Sequence, residues 1–149
     1  MSRRIFTTIL SLFSLVLIFT SCTKSGVISN QNDITGTWAV TGIRSDIPYD
    51  WNGDGYSETD IYGSYDYCQR DIVLTFDQSG TGQSRQGCNA YWKAMYWQLI
   101  NGNRTLQINL PNDDLNLDIS RFTSNTIVGD DQVYVNGRNY VITYTLSRR

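Results

Sequence analysis

The residues best suited to chemistry lie in one stretch, Asp50-Trp51-Asn52-Gly53-Asp54-Gly55. Oxygen-bearing side chains at positions 50, 52 and 54 precede a glycine that permits a sharp turn, the arrangement of the first half of a calcium-binding loop. A hard divalent cation takes about six to eight oxygens. Tyr56 would add a main-chain carbonyl, and Glu58 a carboxylate. The pattern then stops. The bidentate carboxylate that closes such a loop would fall on Ile61, and Asp60 comes one residue early. Two readings are open. One is a weak calcium loop built from Asp50, Asn52, Asp54, Tyr56, Glu58 and Asp60, and the other is a turn that needs no metal, since Asn, Asp and Gly form turns unaided.

Aromatic residues crowd the same region. Trp51, Tyr62, Tyr65 and Tyr67, with Tyr49 and Tyr56 beside them, are candidates to stack on a sugar or close over an apolar ligand. The competing reading has these rings packing as a plug and touching no ligand. Catalysis finds less support. The chain has no histidine, which excludes Ser-His-Asp and Cys-His constellations and imidazole zinc sites. The acidic pairs Asp113/Asp114 and Asp130/Asp131 read as turn residues, where Asp is expected for local reasons. With no glycine-rich phosphate loop either, the expectation is a protein that is not an enzyme.

The elements that must position these residues are strands. From Trp38 onward apolar residues alternate with polar ones: Trp38 and Val40; Ile72, Leu74 and Phe76; Met95, Trp97 and Leu99; Leu106, Ile108 and Leu110. The alternation resumes at Leu115, Leu117 and Ile119, at Val133 and Val135, and from Tyr140 to Leu146. Thr105, Gln107 and Asn109 fall on the opposite, wet phase. Asp77-Gln78-Ser79-Gly80, Asn101-Gly102 and Asn136-Gly137 supply hairpin turns, and Pro111-Asn112-Asp113-Asp114 a further connection. About seven or eight short strands in local hairpins predict an all-β meander closed into a single barrel, with a sandwich as the alternative. Residues 45–71 interrupt the pattern as a long polar and aromatic insertion.

The first residues carry a different message. Met1-Ser2-Arg3-Arg4 is a positive start, Ile5 to Phe19 is mostly apolar, and Thr20-Ser21-Cys22 follows. That order is a secretory signal peptide over residues 1–21, too short and wrongly flanked for a membrane span; a signal anchor is the competing reading. Three cysteines are an odd number for an exported chain. If Cys22 is modified, Cys68 and Cys88 remain as an even pair in an oxidising compartment and are expected to form one disulfide, against two separate buried thiols. Residues 22–33 read as a polar tether and 34–149 as the barrel domain. Without residues 1–21 the 12 basic residues become 10 against 14 acidic ones, a net charge of −4, unsuited to nucleic acid.

Phe19-Thr20-Ser21-Cys22 resembles the lipobox of bacterial lipoproteins, which implies a lipid on Cys22 and a membrane as partner through that anchor. Thr23-Lys24-Ser25-Gly26 lacks the acidic run that accompanies surface display in lipoproteins of this kind. The expectation is the cell envelope, at the outer membrane and facing the periplasm. Gly36-Thr37-Trp38 is similar to the Gly-x-Trp opening of lipocalins. Together with Asp50-x-Asn52-Gly53-Asp54-Gly55, Thr59-Asp60-Ile61, Cys68-x-x-Asp71, Cys88 and Trp97-Gln98-Leu99, it resembles the lipocalin-like domains of small bacterial lipoproteins over residues 34–146. The resemblance implies an up-and-down barrel of about eight strands and, in its cup, a small apolar ligand. The departure from that family is bulk: Trp38, Phe76, Met95, Trp97 and Tyr144 crowd the interior. Two functions are therefore expected to compete. One is a binding module for a small apolar or glycan-like ligand, and the other is a filled barrel that docks an envelope protein.

Overall fold

The computed structural model describes residues 28–111 and 113–149. The signal peptide and Cys22 lie outside the described residues. The strands are β1 (Gly36–Tyr49), β2 (Glu58–Asp60), β3 (Ile72–Phe76), β4 (Thr81–Gln86), β5 (Lys93–Ile100), β6 (Thr105–Asn109), β7 (Asp114–Phe122), β8 (Thr126–Val135) and β9 (Arg138–Arg148). One helical turn, α1 (Ile61–Ser64), follows β2, and a 3-10 turn over Gln31–Asp33 precedes β1. Strands β1 and β3 to β9 pair antiparallel in chain order, and β1 also pairs β9. The result is a closed eight-stranded up-and-down barrel, with β2 attached outside the ring to the far half of β1. Closure removes the unpaired edges that an open sheet would present.

The hairpin turns fall where turn chemistry puts them. Asn101, Gly102, Asn136 and Gly137 all have positive φ, which Asn and Gly tolerate. Three features differ from the sequence reading. Opposite β9, Val40 faces Leu146 while Gly42 faces Thr145, so Thr41 is a bulge. The buried phase accordingly slips from Trp38 and Val40 to Ile43 and Ser45. That slip carries β1 on to Tyr49, and the insertion begins at Asp50 rather than at residue 45. Second, Asp130 and Asp131 do not lie in a turn. They sit inside β8 opposite Thr143 and Ile142, in a strand that the sequence reading began only at Val133. Gly129 is required there because a Cβ would meet the Leu117 Cβ at 2.9 Å. Third, Thr105 is buried although its phase is outward, beneath hydrogen bonds to Asp118 (2.7 Å) and from Asn101 (3.0 Å).

One end of the barrel is packed shut. Trp38, Phe76, Met95, Trp97, Leu106, Ile108 and Leu117 fill the axis, with Phe76 and Trp97 meeting edge to face at 5.4 Å. Ile28 and Ile34, both without solvent exposure, cover that end, and Ile28 N–H donates to the Asn103 carbonyl at 3.3 Å. Within residues 28–33, Ile28 packs against the domain while residues 29–33 stay exposed. Arg148 locks the same end. Its guanidinium lies 4.3 Å from the Trp38 ring and donates to the carbonyls of Ser124, Thr35 and Asp33 at 2.6 to 2.7 Å. The Trp38 indole N–H donates to the Ile34 carbonyl at 2.7 Å.

Candidate functional site

The other end of the barrel holds the candidate site, in three parts. The first is the acidic loop. Carboxylate oxygens of Asp50, Asp54 and Glu58 lie within 4.8 Å of one another. The loop orders itself without an ion. Asp50 accepts the N–H groups of Gly53, Asp54 and Gly55 at 2.7 to 3.0 Å, Asn52 accepts that of Asp54, and Asp54 accepts that of Tyr56 at 2.8 Å. Glu58 reaches back to the Trp51 N–H at 3.3 Å. Asp60 is not brought to this group. It caps α1, accepting the Gly63 N–H at 3.0 Å.

The second part is an aromatic cap over the mouth. Tyr49, Trp51 and Tyr140 pack ring on ring at centroid distances of 4.9 to 5.4 Å. The Trp51 indole donates to Ser45 Oγ at 3.2 Å, and Ser45 donates in turn to the Ile47 carbonyl. Ile61 of α1 is buried beneath, and Tyr62 and Tyr65 are half-buried against the core. Tyr62 and Arg70 tie the cap to the next segment, through Tyr62 OH to the Arg70 carbonyl and Arg70 to the carbonyls of Gly63 and Tyr65. Tyr56 and Tyr67 are exposed and take no part in this packing.

The third part was not singled out as a site from the sequence. Strand pairing between β4 and β5 ends at Ser84 and Lys93, and the two strands then part around the 87–92 loop. A cleft of about 370 Å³ opens there, with Ile72, Leu74 and Leu110 as its apolar wall and Ser84, Gln86, Lys93 and Asp113 among its polar lining. Register fixes which side chains face it. Leu74 opposes Ser84 and Ser84 opposes Lys93, so all three share the inward face of the wall. The 87–92 loop that borders the cleft is pinned by the Cys68–Cys88 disulfide, with Cα atoms 4.8 Å apart, and by Gly87 N–H to the Asp71 carbonyl. The expected pairing of these two cysteines is present. A signal for the cleft existed in the sequence: Lys93 falls in phase with Met95 and Trp97, a charge on an inward face.

Burial sets the electrostatics of the mouth. Asp131, in phase with Val133 and opposite the buried Ile142, has its carboxyl pKa raised by desolvation, with Asp113 and Asp118 adding to the effect. Desolvation also raises Tyr144, helped by the charge of Asp131, and raises Tyr65. Tyr144 and Tyr65 therefore stay neutral donors at any ordinary pH.

Comparison with curated proteins finds no match. Among solved structures, a complex of bovine odorant binding protein with a selenium-containing odorant is similar over 83% of this chain and 74% of that one, at 14% identity and a TM-score of 0.47. That likeness is too distant for anything about a ligand to transfer from it. The model of the DUF5004 family, described as a domain of unknown function, matches residues 19–147, and the chain belongs to that family.

Proposed function

We propose that the chain is a non-catalytic binding module, held at the envelope membrane by a lipid on Cys22, that takes a small ligand with an apolar body. The observation that carries this reading is the cleft beside β4 and β5. Its volume of about 370 Å³ falls within the usual range for small-molecule sites, and its wall of Ile72, Leu74 and Leu110 offers apolar surface beside placed polar groups. An apolar body is favoured over a glycan because Tyr49, Trp51 and Tyr140 are engaged with each other, which leaves little open ring face on the cap. The test is binding of N-phenylnaphthylamine, a neutral dye that brightens in apolar surroundings. The wild type should brighten it saturably, and Leu110→Glu should not. No saturable signal with the wild type would overturn the reading. The anchor is tested separately: Cys22→Ala should leave the membrane fraction, and unchanged palmitate incorporation in that variant would refute the lipid.

The acidic loop adds a second component to this reading. Convergence of Asp50, Asp54 and Glu58 favours weak calcium binding that stiffens the cap. A docking role is the competing function. It is favoured by the filled barrel axis and by Trp92 and Tyr96, which stand exposed. Proximity labelling in whole envelopes that marks one protein, and loses it in Tyr96→Lys, would favour that role.

A further inference from the structure

The cleft places a cationic side chain beside its apolar wall. The described residues contain one lysine, Lys93, and it stands at the lip of the cleft. Among the described residues no hydrogen bond or ion pair engages its ammonium group. Arg85 lies in the same wall. One of its terminal nitrogens is taken by Asp71 at 2.7 Å and its guanidinium lies 5.2 Å from the Trp92 ring, yet its Nε is buried with no acceptor. A buried donor left without an acceptor is costly, and native structures rarely keep one without a reason. Lys93 thus stands with an unengaged ammonium beside an apolar wall, while Arg85, opposite Val73 and paired with Asp71, turns its charge to the neighbouring face. Against that ammonium is one carboxylate in the lining, Asp113, which takes the Asp114 N–H at 2.9 Å and, among the described residues, has no cationic partner.

We infer that the ligand is a carboxylate-bearing amphiphile, its carboxylate set against Lys93 and its chain laid on Ile72, Leu74 and Leu110. This rests on the proposal that the cleft is the binding site, and it adds the chemistry of the head group. The ammonium is placed to select the anion, because a charged hydrogen bond at a half-open lip is stronger than one to a neutral hydroxyl. The apolar wall sets chain length, because each methylene that leaves water tightens binding about fourfold until the wall is covered. Asp113 works against the anion across the cleft, so its removal should strengthen the selection.

The experiment is calorimetric titration of the purified chain with octanoate, decanoate and dodecanoate at neutral pH, and with the alcohols of matching length. The carboxylates should bind about fivefold more tightly than the alcohols. Lys93→Gln should erase that preference, and Asp113→Asn should enlarge it. Equal binding of acids and alcohols by the wild type would overturn the head-group inference and leave the cleft reading standing. A preference that survives Lys93→Gln would also overturn it. Binding of neither series would overturn both.

Discussion

Replacing Arg148 by methionine should lower stability by about 3.5 to 4 kcal/mol. Methionine keeps an aliphatic stem against Trp38 and removes the guanidinium. Three bonds to carbonyls are lost, from 2.6 to 2.7 Å, but they are not equal. The bond to Thr35 is part-buried, and an acceptor deprived of a charged donor there costs about 2 kcal/mol. The bonds to Ser124 and Asp33 are exposed, so water replaces the donor and each contributes about 0.5 kcal/mol. The stacked cation 4.3 Å from Trp38 adds about 0.5 to 1 kcal/mol. For a domain of this size the total corresponds to a fall in melting temperature of about 10 °C. Thermal melts followed by near-ultraviolet circular dichroism report it directly, since Trp38 is the ring beneath the lost cation. Arg138→Met is the control: its guanidinium lies 5.8 Å from Tyr140 on an exposed residue, and the melt should stay within about 2 °C. An Arg148→Met protein that melts with the wild type would refute the view that this arginine holds the packed end closed.

Three further outcomes follow from the mouth. The Cys68→Ser/Cys88→Ser variant should lose about 3 kcal/mol, from the 20-residue separation that the disulfide closes; an unchanged melt would show that the cross-link constrains nothing. Millimolar calcium against chelator should raise the melt by up to about 1.5 kcal/mol of stability at a tenfold excess over a Kd of about 10⁻⁴ to 10⁻³ M, and the rise should vanish in Asp50→Ala/Asp54→Ala. A wild-type melt that calcium does not move would reduce the loop to a turn. Asp131 has a folded pKa raised above 3.8, so its neutral form favours the fold, and that contribution fades as pH rises through the folded value. Asp131→Asn should therefore melt above the wild type at neutral pH, with the gap closing below about pH 4, and a gap independent of pH would refute the burial argument.

The all-β barrel was legible because strand period and turn residues agree along most of the chain. Leu106, Ile108 and Leu110, or Tyr140 to Leu146, leave no other phase in which to bury an apolar face. The misread stretches are those where the phase slips or the interior turns polar. The Thr41 bulge hides the inward set of Ile43 and Ser45, so the second half of β1 looked like loop. Asp130 and Asp131 read as turn residues, yet they lie within β8 beside Gly129, whose missing side chain lets Leu117 approach. Within the acidic loop, spacing correctly brought Asp50, Asp54 and Glu58 together. It could not separate Asp60, which is bound to a helix cap, because a short helix after a loop has no period to read. The cleft escaped notice for a geometric reason. Its residues come from the ends of several strands, and it exists only because β4 and β5 part after Ser84 and Lys93.

Where a ligand sits decides whether the cleft is the binding site. Methyl-resolved NMR of the protein labelled at Ile, Leu and Val, titrated with decanoate, reads that position directly. Saturable shifts should concentrate at Ile72, Leu74 and Leu110, with Leu106 and Leu117 at the packed end unmoved. Shifts at the packed end alone, or around Ile47 and Ile61 beneath the aromatic cap with none at the cleft, would contradict the cleft as the binding site.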